Sequence, residues 1–183
     1  MSKADWAAEL ARKLLEVPLP RRWAHVQGVA AQARSLAPIL GGDADLLEAA
    51  AWLHDLGYSP ELANTGFHPL DGARYLRDVE HADPMLCRLV ANHSCAILEA
   101  EERGLADILS TEFPSPDTKL NDALAYCDMT TTPTGDVVTV QDRLSEIVER
   151  YGPQDVVTRF IRRAEPELIS SVVRTGQRLF LAQ

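Results

Sequence analysis

Along nearly the whole chain, apolar residues recur every three to four positions, the spacing of a helix with one buried face. Trp6, Leu10 and Leu14 mark such a face near the start, with Ser2 placed as its cap and Asp5 in its first turn. The VPLP stretch at 17–20 ends that helix. Trp23, Val26, Val29, Ala30 and Ala33 trace a second stripe over about 21–37, closed by Pro38 and the Gly41-Gly42 pair. Asp43 is set to cap a third helix, whose face runs through Leu46, Leu47, Ala50, Leu53 and His54. A loop with a short turn of helix follows from Gly57 to Phe67. HPLDGARYLRDV at 68–79 restarts a helix with Pro69 in its first turn, and Asp83-Pro84 opens another towards His93. LEAEERGL at 98–105 reads as a short charged helix. Ser115-Pro116 and Asp117 start one that carries Leu120, Leu124 and Cys127 to Asp128. MTTTPTGD at 129–136 is a polar loop, and Thr139 caps a helix to Tyr151. Beyond Gly152-Pro153 the pattern predicts a helical hairpin over 153–182, broken near Pro166.

Nothing alternates with the period of a strand, so the fold class predicted is all-α: a compact single-domain bundle of about eight or nine helices over 1–183. The first helix, at 3–17, and the final hairpin pack onto its core. A chain of 183 residues with 46% hydrophobic residues can bury one such core. The net charge of −9, from 27 acidic and 18 basic residues, argues against stable nucleic-acid binding but not against a small anionic ligand held by local arginines and a metal. Three cysteines, Cys87, Cys95 and Cys127, have no C-x-x-C spacing and read as reduced core thiols. The first residues contain scattered charges and no apolar stretch of a signal peptide, and no apolar run reaches the ~18 residues of a membrane span. A cytoplasmic protein without membrane contact is expected.

Four of the five histidines interrupt or end apolar faces: His25, His54, His68 and His93. The fifth, His81, lies among charges and reads as solvated. In AAAWLHDLGYSP, His54 and Asp55 sit side by side where an alanine-rich helix meets Gly57. Consecutive residues of a regular helix diverge by ~100°, so both can face one point only at the edge between their directions or where the helix ends. Buried without partners, such groups would cost several kcal/mol each. Imidazole and carboxylate together suit a divalent metal, and His25, His54-Asp55 and Asp128 lie on helices that can converge on one.

In this order the residues resemble the H…HD…D signature of the HD-domain metal-dependent phosphohydrolases. RRWAHVQGVAAQARSLA is similar to that family's first helix, AAWLHDLGY to its central one and LAYCDMTTTP to the segment with its last aspartate. The likeness covers about 20–150. GFHPLDGARYL at 66–76 resembles the H-P-x-x-G segment of members with a second metal or extra phosphate-side histidines, and His93 in LVANHSC falls where those members place another. The resemblance implies that His25, His54, Asp55 and Asp128 hold a first divalent ion (manganese, iron, cobalt, zinc, nickel or magnesium), with Asp55 able to bridge. It implies that His68 and His93 either complete a second site or contact the substrate phosphate. Tyr58 departs from groups with a lysine or glutamate three residues after the aspartate, which leaves the acid/base residue open. The SCAILEAEERG stretch lacks the GYP segment of cyclic-dinucleotide phosphodiesterases.

The expected activity is hydrolysis of a phosphate ester or anhydride of a small phosphorylated molecule, of nucleotide type, through a metal-activated water. The catalytic set is Asp55, His68, His93 and Arg22, which lies three residues before His25 on the same side of its helix. Arg143 and Arg74 are further phosphate-binding candidates, and Thr130 to Thr134 either line the mouth of the site or form an ordered turn. Two other readings compete: an HD-fold di-iron oxygenase, which needs both His68 and His93 as ligands, and a non-catalytic metal- or nucleotide-binding regulatory module. A homodimer is compatible with each.

Overall fold

Helix boundaries fall largely where capping chemistry puts them. The computed structural model describes residues 1–116 and 119–182. Ser2 Oγ accepts from Asp5 N at 3.0 Å while the Asp5 carboxylate accepts from Ser2 N, closing a capping box on α1 (Lys3–Leu15). Proline in the first turn, where its missing N–H costs nothing, opens α2 (Pro20–Ser35), α5 (His68–Asp78) and α6 (Pro84–Asn92). Thr139 caps α10 (Val140–Tyr151) and Asp155 caps α11 (Val156–Leu181). The remaining helices are α3 (Ala37–Leu40), α4 (Ala44–Leu53), α7 (Ala96–Arg103), α8 (Ala106–Glu112) and α9 (Lys119–Met129). Among the described residues there is no strand, only an isolated bridge between Thr131 and Val137. The all-α class stands. Nine of these helices have eight residues or more; α3 and α8 are shorter pieces that periodicity does not register, and α8 buries Leu109 alone.

α4 is the hub. Leu47, Ala49, Ala50, Ala51, Trp52 and Leu53 are all buried, so this helix is apolar on nearly every side and is surrounded rather than laid on a surface. α1 and α2 pack on it, and α9 and α6 close the other sides. Its alanines let those neighbours approach closely, and each fully buried leucine adds ~1.5–3 kcal/mol. A second, smaller apolar cluster joins α9, α10 and α11 through Met129, Val140, Leu144, Phe160, Ile161 and Leu168.

Two sequence expectations change. The hairpin over 153–182 is one continuous helix, α11, running through Pro166. Pro166 and Arg162, whose carbonyl loses its N–H partner, both lie on the exposed face, where water can satisfy that carbonyl. The buried stripe Ile161, Ala164, Leu168, Ser171 and Thr175 continues across the proline and keeps both halves on the same support. Asp43 precedes α4 without a side-chain cap bond, and its carboxylate pairs with Lys119 at 3.4 Å instead. Asp117, expected to help open α9, lies outside the described residues. The sequence also hides a long-range cap: Asp45 on α4 accepts from Lys3 N and Ala4 N at 3.0 and 3.1 Å, tying the start of α1 to the hub. No helix among the described residues is long and apolar enough to cross a membrane.

Two glycine seats fix the segments that flank the hub's carboxyl end. A Cβ on Gly57 would stand 2.0 Å from His68 O and 2.7 Å from Gly72 N, so the turn after α4 lies directly on the first turn of α5. A Cβ on Gly28 would stand 2.4 Å from Gly135 O, and Gly135 itself adopts φ +88°, so the 131–137 loop lies flat on α2. Gly57→Ala is expected to cost ~1–3 kcal/mol, read as a lower thermal midpoint, because backbone rather than a flexible side chain must yield. Pro166→Ala is expected to raise the midpoint by a few degrees, since it restores a helical hydrogen bond without disturbing the buried stripe. A lowered midpoint would show that the proline supports a bend the helix needs.

Candidate metal centre

The hub helix ends at Leu53. His54 follows it with backbone angles that are still helical (φ −57°, ψ −35°), Asp55 turns out of the helix (φ −98°, ψ 8°), and Leu56–Tyr58 form a turn of 3-10 helix. That ending removes the 100° divergence of adjacent residues. His54 Nε2 and Asp55 Oδ2 stand 3.4 Å apart, both side chains buried. α2 brings His25, whose Nε2 is 3.8 Å from the same Asp55 oxygen, and the last turn of α9 brings Asp128, 3.1 Å from His25 Nε2. The start of α5 and the end of α6 bring His68 and His93, whose Nε2 atoms are 3.2 Å apart, with His68 Nε2 3.3 Å from Asp55 Oδ1.

Hydrogen bonds to carbonyls decide which way these rings point. Nδ1 of His54 donates to Ala51 O at 2.8 Å and Nδ1 of His93 donates to Val90 O at 2.7 Å, each reaching back one turn along its own chain. Nδ1 of His25 donates to Thr132 O at 3.0 Å, in the loop seated on Gly28. A carbonyl only accepts, so each Nδ1 carries a proton and each ring turns its Nε2 inward. His54 Nε2 is buried with no hydrogen-bond partner. His25 Nε2 faces Asp128 Oδ1 at 3.1 Å, a contact that needs either a proton on Nε2 or a shared cation. A second proton on His25 would relieve that one contact but leave His54 bare. A cation satisfies all of them, and backbone-oriented imidazoles of this kind typify metal ligands. His25, His54 and Asp128 form one group whose ligand atoms lie within 4.8 Å of one another, and Asp55, His68 and His93 form another. The donor set therefore fits one or two divalent ions, with Asp55 offering one oxygen to each side.

The surroundings hold the carboxylates charged. Burial pushes the Asp55 carboxyl up, but the Arg22 guanidinium beside it outweighs burial and keeps the group well below the usual carboxylate range. Arg22 Nη1 donates to Asp55 Oδ2 at 2.6 Å. Asp128 is likewise driven down against its burial. Ser94 Oγ donates to Asp128 Oδ2 at 2.5 Å, leaving Oδ1 turned towards the histidines. Ser94 and Cys95 adopt φ +47° and +61°, an unfavourable conformation for residues with a Cβ, and it is this turn that brings Ser94 to Asp128. Burial lowers the His68 pKa to about 3 and lowers that of His93 too, so both rings are held neutral at physiological pH.

Tyr58, three residues after Asp55, is a spacer. Its ring stacks on His68 at 3.9 Å between centroids, and the Arg22 guanidinium lies over the Tyr58 ring, also at 3.9 Å. Burial raises its phenol pKa, so it stays protonated. Arg22 and Arg143 line the cavity beside the cluster, whereas Arg74 pairs with Glu112 and does not. Thr130 and Thr131 turn away, their hydroxyls donating to Tyr126 O and Cys127 O; the loop's contribution is the Thr132 carbonyl. Sequence reasoning missed Ser94 and Glu99, a buried carboxylate on the cavity wall held by Arg103. Ala96, Glu99 and Ala100 share the buried face of α7 at helical spacing, a signal masked by the charged look of LEAEERG.

The family model described as HD domain matches residues 22–147. No curated protein and no solved structure matches the chain. Because that one match spans more than half of the sequence and includes every histidine and aspartate of the two groups, this protein belongs to the HD domain family.

Proposed function

We propose that this chain is a metal-dependent phosphohydrolase that cleaves a phosphate ester or anhydride of a small, nucleotide-like molecule. The observation that carries the reading is the buried His54 Nε2, which has no hydrogen-bond partner and sits among carboxylates held ionised. His25, His54, Asp55 and Asp128 would hold one divalent ion, and Asp55, His68 and His93 a second. Bound there, a divalent cation supplies Lewis acidity towards a phosphoryl oxygen and a water of lowered pKa.

The chain's own residues do the rest. A cavity of about 70 Å³ lies beside the cluster, walled by Arg22, Asp55, His68, His93 and Asp128. Arg22 lines it while anchored on Asp55 and clamped flat on Tyr58, so its remaining N–H groups are aimed without further loss of freedom. Its planar charge meets the negative charge that grows on phosphoryl oxygens during displacement. Ser94 fixes Asp128, and the three backbone carbonyls fix His25, His54 and His93, so the site needs little rearrangement when substrate arrives. Tyr58 covers one face of His68, and burial keeps its phenol protonated, so it brings no charge of its own to the site.

The grouping of His68 and His93 with Asp55 also meets the ligand requirement of a di-iron oxygenase. Elemental analysis of the purified protein, with phosphate release measured over nucleotides, dinucleoside polyphosphates and phosphosugars, separates the readings. The expected result is metal-dependent phosphate release that Asp55→Ala lowers by about three orders of magnitude, since metal assistance supplies several kcal/mol. Release that survives Asp55→Ala undiminished overturns the assignment of the site. Two irons per chain with oxygen uptake establish the oxygenase, and bound metal without turnover across the panel establishes a binding module.

A further inference from the structure

Next to the metal-side cavity lies a larger one of about 380 Å³, between the start of α2, the 131–137 loop and α10. Its walls carry Arg21, Arg22, Arg143 and Arg150, with no acidic residue among the described residues that line it. The chain as a whole bears a net charge of −9. Four guanidinium groups around one hollow are therefore a local reversal of the protein's field, of the kind that draws an anion to a defined place. The two cavities are joined by shared walls: Arg22, Arg143 and Arg150 line both.

Arg143 is the telling member. It is 5% exposed, yet its Nε is buried with no hydrogen-bond partner, while its Nη1 donates to Glu146. A buried guanidinium with an unused donor costs stability unless something charged completes it. Arg150 also pairs with Glu146, at 3.5 Å, and Arg21 is exposed with no ion pair among the described residues.

The inner cavity has the metal-ligand cluster on its wall, and the arginines it shares with the outer cavity are placed for whatever the substrate carries beyond that cluster. Pro18, Leu19, Pro20 and Pro133 complete the outer walls with apolar surface that lowers the local dielectric and strengthens each charge contact.

We infer that the outer cavity is a second anion subsite, built to bind a further phosphate of the substrate through Arg143, Arg150 and Arg21. This rests on the phosphohydrolase reading and narrows it: the preferred substrate carries two or more phosphate groups, as a diphosphate or a bisphosphate does, with one at the metal side and the next among these arginines. Arginine suits this because its fork matches two phosphate oxygens at once, and charged hydrogen bonds are worth more than neutral ones.

The test is calorimetric binding of methylenediphosphonate, which cannot be hydrolysed, and of orthophosphate to the full chain in manganese. The expected result is that the diphosphonate binds about tenfold or more tightly, as one added charged hydrogen bond of ~1.5–3 kcal/mol implies. Arg143→Gln is expected to bring the ratio of the two affinities close to one, with smaller losses in Arg150→Gln and Arg21→Gln. Chelation of manganese by the probe is common to all variants, so comparison with the unaltered chain reads the protein. Arg143 is buried, so its variant is first shown to melt as the unaltered chain does; if it does not, Arg21→Gln and Arg150→Gln together carry the test. Equal affinity for the two anions, or a ratio unmoved by the arginine variants, overturns the subsite. Absence of phosphate release across the substrate panel, with the diphosphonate preference intact, overturns the hydrolase reading and leaves the subsite standing.

Discussion

Everything at the centre of this protein depends on the carbonyls of Ala51, Val90 and Thr132 holding the Nδ1 protons of His54, His93 and His25. Those three bonds put a proton on each Nδ1 and turn three Nε2 atoms into one small volume. Two of the bonds are local, made within the turn that ends a helix. The third is long-range and depends on the 131–137 loop lying against α2, which is possible only because neither Gly28 nor Gly135 has a Cβ to push it away. Packing thus sets chemistry: the same close approach that seats a loop also decides which nitrogen of His25 is protonated.

The cluster is costly if nothing fills it. Two ionised carboxylates and several buried imidazoles face one another where an ordinary core would hold aliphatic side chains. The hub helix offsets that cost on its other sides, with alanine and leucine buried along most of its length. Arg22 supplies a permanent positive charge bonded to Asp55, and the Tyr58 ring between Arg22 and His68 spaces that charge from the imidazole. A lysine or glutamate in place of Tyr58 would bring a charge of its own to this point. Here the aromatic ring instead makes Arg22 part of a rigid stack.

Most of the helical frame was legible because its signals are local. Ser2, Asp83, Thr139 and the first-turn prolines act within three residues of themselves, and the buried faces repeat with the helical period. The candidate ligands were legible for a related reason: a histidine or aspartate on an apolar stripe contradicts the pattern around it. What stayed hidden is long-range or depends on exposure. Asp45 caps a helix some forty residues away, and Thr132 acts through its carbonyl, which every residue possesses. Pro166 reads as a break in one dimension, but on a solvent-facing side the helix passes through it. The arginines of the outer cavity come from a Pro-Arg-Arg start and from a distant amphipathic helix, and only folding shows that they share one hollow.

Whether the inward-facing imidazoles and carboxylates are metal ligands is decided with metal-free protein. Manganese would be titrated into it by calorimetry while the thermal midpoint is followed. Saturable binding of one or two ions per chain is expected. At a hundredfold excess over the dissociation constant the expected stabilisation is about 2.7 kcal/mol, a rise on the order of 5–10 °C. A chain that binds no divalent ion, and whose midpoint is the same with metal as with chelator, would contradict the assignment of these ligands.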